Sequence, residues 1–269
     1  MKKDNFKIVD CFTFYNELEL LQLRLAELYD HVDYFILSES LHTHRGKPKN
    51  LYFQDNIKLF SKYKDKIIHV VDEKKYDKKD YSWKIENNQR NKINDGLSKI
   101  DLNDQDQIII SDLDEIPNME KLLAHLPVNW IHTLEMDFYY YNLYNKIKMK
   151  WKKSKILNYK TYKNKFNKEP QLVRDSVDYK KIFNFRIDRN VIKNSGWHFS
   201  YFGDIDFIQN KIINFAHHEY DKEEYSSLEN IENSINNSID LYGTKEIKIN
   251  KLSKIDYSKL PSNVEIIIN

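Results

Sequence analysis

"IIISDLDEIP", residues 108–117, sets three isoleucines directly against Asp112, Asp114 and Glu115. An unbroken apolar run is what a strand needs when both faces of a parallel sheet are covered. Carboxylates crowded at its end repel one another, and the arrangement is tolerated when something positive sits among them. The stretch therefore predicts an α/β sheet whose carboxyl edge carries a ligand, which is where open α/β sheets bind theirs.

The flanking chain repeats the alternation. "FKIVDCFTF" (6–14) is β-rich, and Asn16 with Glu19 has the spacing of a capping box. Leu18, Leu21, Leu25 and Leu28 then mark one apolar helix face, and "VDYFILSES" (32–40) follows as a buried strand. Strand, helix, strand is a βαβ unit. "KIIHVV" (66–71) is a third strand, Ile85, Ile93, Leu97 and Ile100 mark a helix, and 106–110 is a fourth strand. Residues 118–126 read as a short helix with Pro117 at its start, and "WIHTLEMDFYYYNL" (130–143) as one long aromatic strand. The pattern changes near residue 145. "KIKMKWKKSKILNY" (146–159) reads as a hairpin with one wet face, and "NFRIDRNVIKNSGWHFSYFG" (184–203) as two short strands. Asp204 is a good N-cap for a helix over 204–217, residues 222–240 form a polar helix, and "VEIII" (264–268) is a strand or a docked tail. No Gly/Ser linker interrupts this, so residues 1–269 read as one domain with halves 1–145 and 146–269.

Composition narrows the class. With 41% hydrophobic and 31% charged residues the chain is globular, and 43 basic against 41 acidic side chains leave a formal charge of +2. That balance argues against a nucleic-acid partner. The single cysteine, Cys11, forms no internal disulfide, the N-terminus lacks the apolar segment of a signal peptide, and no window approaches the roughly 20 apolar residues of a membrane span. The expectation is a soluble, cytoplasmic protein without a membrane segment.

Positions i and i+2 of an extended turn can aim Asp112 and Asp114 at one ion. Hard oxygen ligands suit Mg2+ or Mn2+, which complete their shells with phosphate oxygens and water. The reading is a divalent-metal site for a diphosphate-bearing substrate; the competing reading is a solvated acidic turn with Asp112 as a cap.

"DCFTFYNELELLQLRLAEL" (10–28), "VDYFILSESLHTHRGKPKNLYF" (32–53), "IIISDLDEIP" and "SGWHFSYFG" (195–203) occur in that order. Together they resemble glycosyltransferase family 17, which includes a β-1,4-N-acetylglucosaminyltransferase acting on N-glycans. The resemblance implies a GT-A-type nucleotide-sugar-binding fold, with an open, mostly parallel sheet flanked by helices and a smaller mixed acceptor-side region. It makes 1–145 the nucleotide-sugar and metal half, and 146–269 the acceptor half. It also implies a UDP-sugar donor, typically UDP-GlcNAc, a glycan acceptor, Mn2+ or Mg2+ at the D-x-D motif, and inversion at the anomeric carbon.

On that resemblance Asp112 and Asp114 hold the metal against the donor diphosphate, with Glu115 either orienting them or starting a helix as a surface acid. His217 is the preferred further ligand, and His218 and His198 are its rivals. The general base is Asp204 or Asp206, with Glu135 and Asp137 as alternatives. Donor contacts fall to Glu39, to His44, Arg45 and Lys47 of the basic loop around Gly46, and to Arg90, unless Arg90 only pairs with Glu86. Trp197, His198 and Tyr141 line the acceptor side. Two other classes compete. A metal-dependent phosphohydrolase needs a nucleophilic Asp after the first strand, whereas Asp10 lies inside it; an inactive sugar-binding protein has no need of the carboxylates.

Overall fold

The computed structural model describes residues 6–76, 82–177, 179–182, 185–188, 190–214, 222–244 and 247–268. In chain order the first elements are β1 (Ile8–Phe14), α1 (Leu18–Leu28), β2 (Tyr34–Ser40), α2 (Tyr52–Asp55), β3 (Ile67–Asp72), α3 (Ser82–Asn91), α4 (Ile93–Leu97) and β4 (Gln107–Asp112). Then come β5 (Glu115–Pro117), α5 (Met119–Leu123), β6 (His132–Leu134), β7 (Asp137–Tyr140), β8 (Asn142–Ile147), β9 (Lys155–Asn158), α6 (Tyr159–Phe166) and α7 (Pro170–Asp175). The remainder is β10 (Tyr179–Ile182), β11 (Phe185–Asp188), β12 (Val191–Ile192), β13 (Gly196–Ser200), α8 (Ile205–Asn214), α9 (Glu223–Ser226), α10 (Leu228–Asn237) and β14 (Ile249–Lys251).

Seven strands make the large sheet in the order β12-β6-β9-β4-β1-β2-β3, parallel except for β9, which runs antiparallel to both neighbours. Alternate residues of β1 serve two cores. Ile8 and Phe12 join the α1 leucines on one face, while Val9 and Cys11 pack with Ile93, Leu97 and Tyr162 on the other. Covered faces explain the unbroken apolar strands. The chain leaves β1 for β2 and β3, then returns to β4 on the other side of β1, so the strand order reverses between β1 and β4. Register puts Asp112 beside Thr13 at that reversal.

A five-stranded sheet, β14-β8-β7-β13-β5, packs against α8 and α10 through Phe138, Tyr140, Tyr201, Ile208, Ile212 and Ile231. β10 and β11 form a separate antiparallel pair.

Several expected elements take a different form. Residues 130–143 divide between the two sheets: β6 joins the large one and β7 the small one, with Met136 bridging to Trp151 between them. The hairpin expected over 146–159 is absent because β8 pairs with β7 and β14, whereas β9 inserts between β4 and β6. The large sheet thus continues past residue 145. Pro117 stays in β5, and the helix after it is capped by Asn118, whose Oδ1 accepts from Lys121 N at 3.1 Å. The Asn16–Glu19 box does not form; Glu17 occupies the N-cap of α1 without a side-chain cap bond. The "VEIII" segment is a 3-10 turn over Val264–Ile267, docked on α1.

Candidate active site at the carboxyl edge of the large sheet

Where β4 ends, its carbonyls leave the strand ladder and need other donors. Arg24 of α1, fully buried, supplies them: Nη1 donates to the carbonyls of Asp112 (2.9 Å), Leu113 (3.1 Å) and Glu115 (2.9 Å). Its other edge donates to both Asp10 oxygens, at 2.8 and 2.7 Å. Asp10 is therefore committed to a buried ion pair and is not available as a phosphohydrolase nucleophile.

The side chains of the turn face two different groups of basic residues. Asp112 accepts from Arg90 Nη2 at 2.8 Å, Arg174 Nη2 at 2.5 Å and Thr13 Oγ1 at 3.3 Å. Burial alone raises its pKa, but Arg174 and then Arg90 outweigh it and hold the carboxyl at about 2. Asp114 instead meets Lys211 Nζ of α8 at 3.2 Å and His198 Nε2 of β13 at 3.5 Å. Burial opposes ionisation there too, yet Lys211 and His198 hold Asp114 well below the usual carboxylate range. Lys211 also reaches Glu17 at 3.1 Å, and the two carboxylates keep its ammonium charged despite burial.

Glu115 is saturated. It accepts from Arg174 twice at 2.6 Å, Trp151 Nε1 at 2.5 Å, Ser154 Oγ at 2.5 Å and Asp112 N at 3.1 Å. Fully buried in β5, it is not the helix-starting surface acid of one sequence reading.

Donor atoms of Asp114, Glu115 and His198 lie within 4.8 Å of one another, and these are the only three or more such side chains grouped this closely among the described residues. A carboxylate and an imidazole suit a divalent ion. Asp114 and His198 fit one, because Nδ1 of His198 is buried without a partner while its ring is fixed against Phe138 (4.6 Å) and Trp151 (4.2 Å). Glu115 fits an orienting role, since both its oxygens are taken. Asp112 and Asp114 share no partner among the described residues.

The other sequence-derived residues fall in several places. Arg90 is in the cluster, paired with Glu86 Oε1 at 2.8 Å as well as with Asp112. Glu86 Oε2 is buried and unpartnered beside it. Glu39 sits at the end of β2 but is fully buried, holding Lys49 (3.3 Å), His69 (3.1 Å) and the Phe53 amide (3.3 Å). His44 meets Gln89 at 3.0 Å, Arg45 is partly buried in the same loop, and Lys47 is exposed. Beside α3, a cavity of about 360 Å3 is lined by Asp72, Lys74, Asn88 and Lys92 among others.

Trp197 turns away from His198 into the main core and donates Nε1 to the Lys259 carbonyl at 2.7 Å. Tyr141 lies in the small-sheet core and donates its hydroxyl to the Ile239 carbonyl at 3.0 Å. Glu135 pairs with Lys152 at 3.3 Å, and Asp137 with Lys146 at 2.9 Å and Lys150 at 2.5 Å. Asp204 and Asp206 are exposed, and Asp204 Oδ1 caps α8 by accepting from Phe207 N at 2.7 Å. His217 and His218 lie outside the described residues.

Arg24, Arg174, Lys211 and Glu17 complete the site, and none was singled out by sequence reasoning. Of these only Arg24 carried a usable signal, as the one basic residue of α1, the helix that leads from the end of β1.

The sequence profile of glycosyltransferase family 17 matches residues 1–249. The β-1,4-mannosyl-glycoprotein 4-β-N-acetylglucosaminyltransferases of Rattus norvegicus and Homo sapiens are each 30% identical over 122 residues, 44% of this chain and 23% of theirs. The matched region is thus about a quarter of those relatives' length. Among solved structures, HddC from Yersinia pseudotuberculosis complexed with GMP-PN superposes with a TM-score of 0.37 and 9% identity, over 72% of this chain and 89% of that one, a likeness too slight to argue from.

Proposed function

The chain belongs to glycosyltransferase family 17, and we propose that it is an inverting, divalent-metal-dependent transferase of GT-A type that moves a sugar from a UDP-sugar to a glycan hydroxyl. The donor we assign first is UDP-GlcNAc, and the ion is Mn2+ or Mg2+. The observation that carries this reading is the position of the Asp112–Glu115 turn at the strand-order reversal, with cationic side chains converging on it from α3, α7 and α8.

A diphosphate leaving group brings negative charge to this edge. Arg90 and Arg174 present planar forks suited to phosphate oxygens, and Lys211 a compact charge. Asp114 and His198 are the side chains we assign to the ion, with Asp112 contributing through lone pairs its arginines leave unused. When bound, the ion supplies Lewis-acid neutralisation of the departing diphosphate. Glu115, saturated by five donors, fixes the turn.

Inversion needs a base that takes the acceptor hydroxyl's proton on the face opposite the leaving group. We assign this to Asp204, with Asp206 and Glu135 as the alternatives. Asp204 stands about two helical turns before Lys211 on one face of α8, and its cap bond occupies one oxygen and leaves the other for a proton.

The test is titration calorimetry with UDP in the presence and absence of Mn2+, followed by a mass-spectrometric screen of UDP- and GDP-sugars. Metal-dependent UDP binding and transfer from UDP-GlcNAc are expected; UDP binding that ignores the metal removes the ion from the reading.

A further inference from the structure

We propose that Arg24 is a positioning residue for this reaction, the strut that fixes the backbone of the carboxylate turn; the proposal rests on the transferase reading for its consequence, but not for its geometry. One guanidinium, with five N–H donors, makes six contacts at hydrogen-bond distance, to Asp10 twice, to Ser111 Oγ at 2.6 Å, and from the two Nη1 hydrogens, one of them shared, to the carbonyls of Asp112, Leu113 and Glu115. The division of labour is informative. Nε and Nη2 balance the charge against Asp10, whereas Nη1 serves the turn alone.

Arg24 therefore does for residues 112–115 what a neighbouring strand does for a ladder. It gathers carbonyls that point in successive directions onto one nitrogen, and so sets where the side chains of Asp112 and Asp114 depart. The guanidinium lies over Phe12, 4.5 Å from the ring centroid, which keeps its plane from tilting. Asp10 makes the arrangement neutral at the cost of a buried charge in β1. A sheet seeking only stability gains more from hydrophobic residues at both positions. What an apolar pair cannot supply is a planar donor fork under the turn. Lysine keeps the charge but reaches fewer carbonyls.

The experiment compares Arg24→Lys with Leu28→Ala, a core change on the same helix, at a temperature where both are folded. Two readouts are taken: exchange of the Asp112 and Phe199 amides, which report the turn through bonds to Glu115 Oε2 and the Asp114 carbonyl, and Mn2+-dependent UDP affinity. At matched loss of Tm, Arg24→Lys is expected to speed exchange of those two amides at least tenfold and to weaken UDP at least tenfold, with Leu28→Ala leaving both near native. Equal behaviour of the two variants overturns the proposal and makes Arg24 merely structural. If the unaltered chain binds no UDP, the transferase reading falls by itself, and the exchange comparison decides Arg24. Should Arg24→Lys fail to fold, Asp10→Asn, which leaves the Nη1 edge in place, is expected to lower Tm with both amides still protected; loss of their protection overturns the assignment.

Discussion

Arg174 and Asp112 are 62 residues apart in the chain, yet Nη2 of one lies 2.5 Å from Oδ2 of the other. The same guanidinium grips Glu115, so one side chain from α7 binds the first and last carboxylates of the turn together. Arg24 holds the backbone of the turn, and Arg174 holds its side chains.

Replacing Arg174 by Met leaves the buried Glu115 and the half-buried Asp112 short of their cation. Breaking such a pair from one side costs about 3–5 kcal/mol. Urea denaturation of Arg174→Met without divalent ions is expected to show a loss of that order; a change below about 1 kcal/mol is incompatible with the network.

Acid should weaken the same network. Asp112 has a folded pKa of about 2, below its unfolded value of about 3.9, so it contributes stability above pH ~4 and that contribution is lost as pH falls toward 2. Thermal melts of the native chain and Asp112→Asn, run from pH 6 to pH 2, should therefore converge as pH drops below 4. A constant gap contradicts the assignment.

Asp114→Asn removes the carboxylate that Lys211 and His198 share. We expect Mn2+-dependent UDP affinity to fall at least tenfold, about 1.4 kcal/mol, measured by calorimetry. Unchanged affinity takes Asp114 out of the site.

Asp204→Asn separates two roles. Asparagine caps a helix about as well as aspartate, so Tm should hold. It cannot accept a proton, so kcat should fall by roughly 10^2- to 10^4-fold with UDP binding intact. Transfer that survives in Asp204→Asn moves the base to Asp206 or Glu135.

Gly196 opens β13 with its Cα against the Ile116 carbonyl; a Cβ there meets that oxygen at 2.4 Å and Met136 at 2.9 Å. Gly196→Ala should cost roughly 1–3 kcal/mol by overpacking and should also displace His198 two residues on. A native Tm rules out the close approach.

The first βαβ unit and the strand into Asp112 were legible because burial on both faces writes itself into residue type. The division of 130–143 was not. Between Leu134 and Asp137 the chain changes sheets at Glu135-Met136, with neither Gly nor Pro to mark it, because the partners that decide the change, Trp151 and Ser195, come later in sequence. Of the site, the carboxylates announced themselves as charges beyond an apolar run. Arg174 and Lys211 looked like any basic residue on a short helix. Only packing brings them to the turn, and nothing local in "QLVRD" or "FIQNKII" says so.

The turn from Asp112 to Glu115 starts in one sheet and finishes in the other, with only Leu113 and Asp114 between. The carboxylate motif is therefore also one of the joints between the two sheets, as Glu135-Met136 is another. On the transferase reading proposed above, a substitution that shifts the small sheet against the large one acts on this short span, so metal affinity and rigidity across the seam are coupled.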